Sequence, residues 1–162
     1  MDNAVFQWFN HYFSREWAVF FTAWLPVVEL RGAIPLAISL GIPPLKAFWL
    51  SVIGNIIPVI PLLLLLQPLR EFLCKHFALV ERFFAWLDRR TVKKGGYIDK
   101  YGALGLILFT AIPLPTTGAW TASFAAIIFK IRFRYAFPAI LAGILLAGII
   151  MLVLSLTGKA IL

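Results

Sequence analysis

Glu29 and Arg31 are the residues best placed to do chemistry. They interrupt a stretch that is otherwise uncharged from Trp17 to Leu45. The local run is Leu25-Pro26-Val27-Val28-Glu29-Leu30-Arg31-Gly32-Ala33-Ile34-Pro35. A charge in lipid costs several kcal/mol, so such residues are kept for function or paired. Two roles are open for Glu29. It is either a proton-binding carboxylate that couples transport, or a structural counter-ion for Arg31. Burial raises a carboxylate's pKa and a nearby arginine lowers it, so sequence does not settle the direction. Arg31 is either a bidentate docking point for a phosphate or carboxylate, or the permanent partner of Glu29. Two residues apart, the pair would not face each other on a regular helix. They can face each other in an unwound tip, or each can reach a partner in the other hairpin.

A second tip, Pro113-Leu114-Pro115-Thr116-Thr117-Gly118-Ala119-Trp120, is uncharged. Thr116 or Thr117 is expected to cap the half-helix that follows, with Gly118 allowing close approach. That helix N-terminus would attract an anion, or the threonines merely satisfy its N–H groups. Asn55, just before Pro58 and Pro61, is a candidate lining residue or a structural amide. Ser51 and Ser123 are weaker candidates. There is no metal-ligand cluster, phosphate-binding loop or nucleophile triad in the sequence. The expectation is therefore a protein without metal or cofactor that is not an enzyme. Cys74 is the only cysteine and has no internal disulfide partner.

These residues need elements to hold them in a membrane. Of 162 residues, 62% are hydrophobic, more than a soluble domain of this length can hide. Residues 1–16 read as an aromatic, interfacial helix. Residues 17–45 form two arms of about ten residues around the first tip. Each arm is roughly 15 Å of helix, half of a hydrocarbon core about 30 Å thick. A re-entrant hairpin fits, with a single kinked span as the alternative. Residues 46–67 are long enough to span, with kinks at Pro58 and Pro61. Residues 68–100 form a charged amphipathic connector broken at Lys93-Lys94-Gly95-Gly96. Residues 101–129 form the second broken stretch and 135–158 the second span.

The order of hairpin then span occurs twice. Phe21-Thr22-Ala23 matches Phe109-Thr110-Ala111, Gly32-Ala33 matches Gly118-Ala119, and Gly54 matches Gly143. The expected fold is all-α integral membrane. It is an inverted repeat of re-entrant helical hairpin plus transmembrane helix, flanked by interfacial amphipathic helices. The halves are 17–67 and 101–162 within one membrane domain, 1–162. Net charge is +8. The bases cluster between hydrophobic segments, which points to the positive-inside rule and away from nucleic acid. Segments 68–100 and 130–134 hold eleven Lys and Arg, against Arg15, Lys46 and Lys159 on the other side. The middle is then cytoplasmic and both termini external. Two spans enclose little, so a homodimer is expected, with Gly143 and Gly148 as close-packing points.

Pro-Val-Val-Glu-Leu-Arg-Gly-Ala-Ile-Pro at 26–35 and Ile-Pro-Leu-Pro-Thr-Thr-Gly-Ala-Trp-Thr at 112–121 together resemble the small multidrug export protein family. The arrangement is also similar to the DedA-like (VTT-domain) membrane proteins. The resemblance implies a multi-pass carrier of the cell inner (plasma) membrane. It moves a small or amphiphilic substrate, with proton or ion coupling. The DedA-like alternative is a flippase for polyprenyl phosphate or phospholipid, although no arginine stands in the second tip. A channel or an accessory membrane subunit is the reading from another class. The partners expected are membrane lipids and the substrate. The site residues the resemblance implies are Glu29, Arg31, Thr116, Thr117 and Gly118; Gly32 and Asn55 join them as candidates on the residue reading above.

Overall fold

A computed structural model describes residues 15–79, 81, 82, 85, 95–112 and 117–161. The interfacial helix expected over 1–16 lies outside these, apart from its last two residues, as do parts of the connector. Among the described residues the regular structure is entirely helical. The helices are α1 (Arg15–Trp24), α2 (Glu29–Ser39), α3 (Pro44–Ile56), α4 (Val59–His76), α5 (Gly95–Ala111), α6 (Ala119–Ile128) and α7 (Phe133–Ile161). Two stretches, Pro44–Leu65 and Phe133–Gly158, are long and apolar enough to cross a membrane. The chain resolves into two compact units. One holds the described residues up to Asn55 together with Gly148 onwards; the other runs Ile56–Ala147.

In the first unit α1 and α2 pack against each other as a helical hairpin. Pro26 cannot donate a backbone hydrogen bond, and a bend and turn occupy 25–28. Helices of ten and eleven residues are about 15 Å long. Alanines make the close packing possible: Ala23, Ala33, Ala37 and Ala47 are fully buried. The open end is fastened by polar contacts. Arg15 donates to the Leu40 carbonyl at 3.2 Å, and Lys46 pairs with Glu16. Both partners of that ion pair are about half exposed, so it stabilises by at most about 1 kcal/mol. Gly54 lets α3 cross α1 closely: a Cβ there would lie 2.6 Å from the Phe20 carbonyl oxygen.

In the second unit α6 packs against both α4 and α5. Two boundaries differ from the sequence expectation. The span expected over 46–67 breaks at Ile57 and Pro58, then continues as α4 to His76. Pro61 does not kink it, because it lies in α4's first turn, where no helical N–H bond is lost. Pro68 lies inside α4, so the connector begins as an extension of that helix. Gly143 lets α7 approach α5: its Cβ would lie 2.4 Å from Thr110 Cβ and 2.9 Å from the Ile107 carbonyl oxygen. Gly148, in the first unit, abuts Phe48 and Val52. Both glycines expected at a dimer contact are thus used inside the chain.

Local structure recurs at one fixed spacing. At the end of α2, Gly41 donates to Ile38 and Ile42 donates to Ala37, at 3.1 and 3.0 Å. At the end of α6, Lys130 donates to Ile127 and Ile131 donates to Ala126, at 3.1 and 2.8 Å. This bond pair is the Schellman cap, which needs a left-handed residue after the helix. Gly41 (φ 76°) and Lys130 (φ 54°) supply it, 89 positions apart. The buried isoleucines that follow, Ile42 and Ile131, complete each cap. Helices α3 and α7 then start at Pro44 and Phe133, and Gly54 and Gly143 make the crossings, all at the same spacing. The caps correct the sequence match: Gly118 stands opposite Glu29, not opposite Gly32.

Candidate functional site

The first tip is built by backbone bonds that keep it tight. Leu25 donates to Thr22 at 3.2 Å, Glu29 to Leu25 at 3.0 Å and Gly32 to Val28 at 3.1 Å. The chain enters α2 through Glu29 in the left-handed region, at φ 50°. For a non-glycine residue this costs about 1–2 kcal/mol. Val28 stands at the N-cap without a side-chain cap bond. Gly32 packs against the Val28 side chain: a Cβ there would lie 2.2 Å from Val28 Cγ1 and force that side chain to move. The left-handed turn buries Glu29 to 5% exposure, while Arg31 is half-buried. The Glu29 carboxylate acts electrostatically on the Arg31 guanidinium.

Asn55 and Ser51 lie four residues apart on α3, hence on one face. They are 1% and 0% exposed. Asn55 Oδ1 and Nδ2 and Ser51 Oγ find no hydrogen-bond partner among the described residues. Each unmet buried group costs about 1–3 kcal/mol. Other buried hydroxyls behave differently. Thr110 donates to Leu106 and Ser123 to Ala119, both at 2.7 Å. Ser51 and Ser123 are equally buried, and it is bonding that separates them. The available signal was spacing: Ser51 and Asn55 stand 89 positions before Ile140 and Ile144.

The second tip departs from expectation. Gly118, not Thr117, is the N-cap residue of α6, with an extended backbone and its carbonyl accepting from Ala122 at 2.8 Å. The Thr117 hydroxyl donates back to the Ile112 carbonyl at 2.7 Å. Thr116 lies outside the described residues. Glu29, Arg31, Gly32 and Asn55 therefore share the first unit, whereas Thr117 and Gly118 belong to the second. At the matched spacing the second half carries Gly118 for Glu29, Trp120 for Arg31, Ile140 for Ser51 and Ile144 for Asn55. The ionisable and amide groups are thus concentrated in one half.

Residues 29–150 match the model of a family described as "Putative small multi-drug export protein". The match starts within the first tip, at Glu29, and takes in the second tip, the first candidate span and most of the second. No curated protein and no solved structure matches the chain significantly.

Proposed function

The chain belongs to the small multi-drug export protein family, and from that premise we propose that it is a multi-pass carrier of the plasma membrane. It moves a small or amphiphilic substrate bearing an acidic group, with protonation of Glu29 as the coupling event. The observation that carries this reading is the buried Glu29 beside half-buried Arg31 at the tip of a short hairpin. Arms of about 15 Å would end near the bilayer midplane. Arg31 and the N-terminal end of α2 attract the anionic group. Thr117 and Gly118, at the start of α6, offer a second such end.

Both hairpins are proposed to be re-entrant, and the two halves to be inverted relative to each other. The recurring caps and glycine crossings support a repeat, and the charge bias supports its inversion. A homodimer completes the pathway. The test is reconstitution into liposomes holding a pH-sensitive dye. Amphiphilic carboxylates and phosphates added outside should move protons with wild type and not with Glu29→Gln. Equal proton movement in both would sink the coupling role.

A further inference from the structure

The second half shows what the fold accepts at the positions of Ser51 and Asn55. There the matched residues are Ile140 and Ile144, packed to 0% and 1% exposure. The first half instead buries a hydroxyl and an amide whose Oγ, Oδ1 and Nδ2 go unmet among the described residues. An apolar pair would stabilise the same frame, so these groups serve something other than the fold.

Their surroundings select the ligand. Pro58 has no N–H, so the Gly54 carbonyl loses its helical donor. The C-terminal end of α3 carries partial negative charge. Ser51 Oγ, Asn55 Oδ1 and the Gly54 carbonyl are therefore acceptors in the last two turns of α3, towards its negative end. Gly54 abuts Phe20 and Ala23, the last turn of α1 before the tip. Buried Glu29 lies just beyond that tip, and Arg31 follows in the first turn of α2. A bare cation would leave Asn55 Nδ2 unmet, and a bare anion would leave the acceptors unmet. A molecule with an ammonium and an acidic group satisfies both.

We propose that Ser51 and Asn55 bind the ammonium end of a small zwitterionic substrate whose acidic end docks on Arg31. The inference rests on the carrier reading and names its substrate class. The ammonium donates to Ser51 Oγ, Asn55 Oδ1 and the Gly54 carbonyl. The acidic group accepts from Arg31 and from Asn55 Nδ2.

The test uses leucine and its two half-molecules, isopentylamine and 4-methylpentanoate, with thermal unfolding and equilibrium binding on the purified full chain. Leucine should bind wild type more tightly than either half-molecule. The double variant Ser51→Ile, Asn55→Leu should melt at the same temperature or higher without ligand. It should lose roughly tenfold or more in affinity for leucine and isopentylamine, and keep 4-methylpentanoate. Arg31→Lys should do the reverse, weakening 4-methylpentanoate and leucine and keeping isopentylamine. A lower melting temperature in the double variant with amine binding intact makes the pair structural and overturns the inference. Wild type that binds 4-methylpentanoate alone overturns it while leaving the anion reading in place. Binding of isopentylamine alone overturns the zwitterion and the role of Arg31. Binding of none of the three overturns the proposal.

Discussion

Two residues outside glycine hold left-handed backbones, Glu29 and Lys130, among those described. They do so for different reasons. Lys130 sits in a cap whose bonds impose the conformation on whatever residue stands there, and Gly41 occupies the matching place at no steric cost. Lys130→Gly should therefore stabilise the protein by about 0.5–1 kcal/mol, and Gly41→Ala should destabilise it by about 1 kcal/mol. Thermal unfolding in detergent reads both; a Gly41→Ala variant as stable as wild type would show that the cap exerts no such constraint. Glu29 holds its strained backbone where its carboxylate is buried, a combination found at functional sites. Glu29→Gln keeps the shape and removes the titration. We expect gradient-driven substrate accumulation to be lost and passive exchange to persist. Accumulation that still follows external pH in the variant would return Glu29 to a purely structural role.

At the scale of helices, glycine separates packing from mere composition. Gly143 sits against Thr110 and the Ile107 carbonyl, whereas nothing lies within 4 Å of a Cβ at Gly105. Gly143→Ala should cost about 1–3 kcal/mol by overpacking. Gly105→Ala should gain about 0.5–1 kcal/mol from helix propensity. The two melting shifts should have opposite signs; a shared sign would show that α7 does not depend on the Gly143 crossing. The elements themselves were legible in the chain. Proline and glycine around Glu29 marked the first tip, and uninterrupted apolar length marked the spans. Gly54 and Gly143 already stand 89 positions apart in the letters. The spacing at the tips was not legible: the shared Gly-Ala letters suggested another, whereas the hydrogen-bonded ends of α2 and α6 recur at 89. Gly118 rather than Thr117 holds the N-cap of α6, because sequence does not fix at which of three adjacent residues a helix starts. Ser51 looked ordinary because its importance depends on burial and on a missing partner, neither of which the letters carry.

For the whole molecule, the proposed inversion of the two halves has a geometric consequence. With Cys74→Ser as background, single cysteines at Arg15 and Lys46 should label from one side of the membrane with impermeant reagents. The fastened base of the first hairpin, where Arg15 meets Leu40 and Lys46 meets Glu16, requires these two to agree. A cysteine at Lys130 should label from the opposite face. Labelling of Lys46 and Lys130 from the same face would make the halves parallel and end the inverted reading.

The capped corners at Gly41 and Lys130 also bear on mechanics. Each closes the C-terminal end of a hairpin's second helix with bonds donated by the two residues that follow it. The end of α2 is thereby tied down by its own backbone. Its start has no side-chain cap and a strained first residue. Amide exchange at 28–30 should therefore outpace that at 40–42.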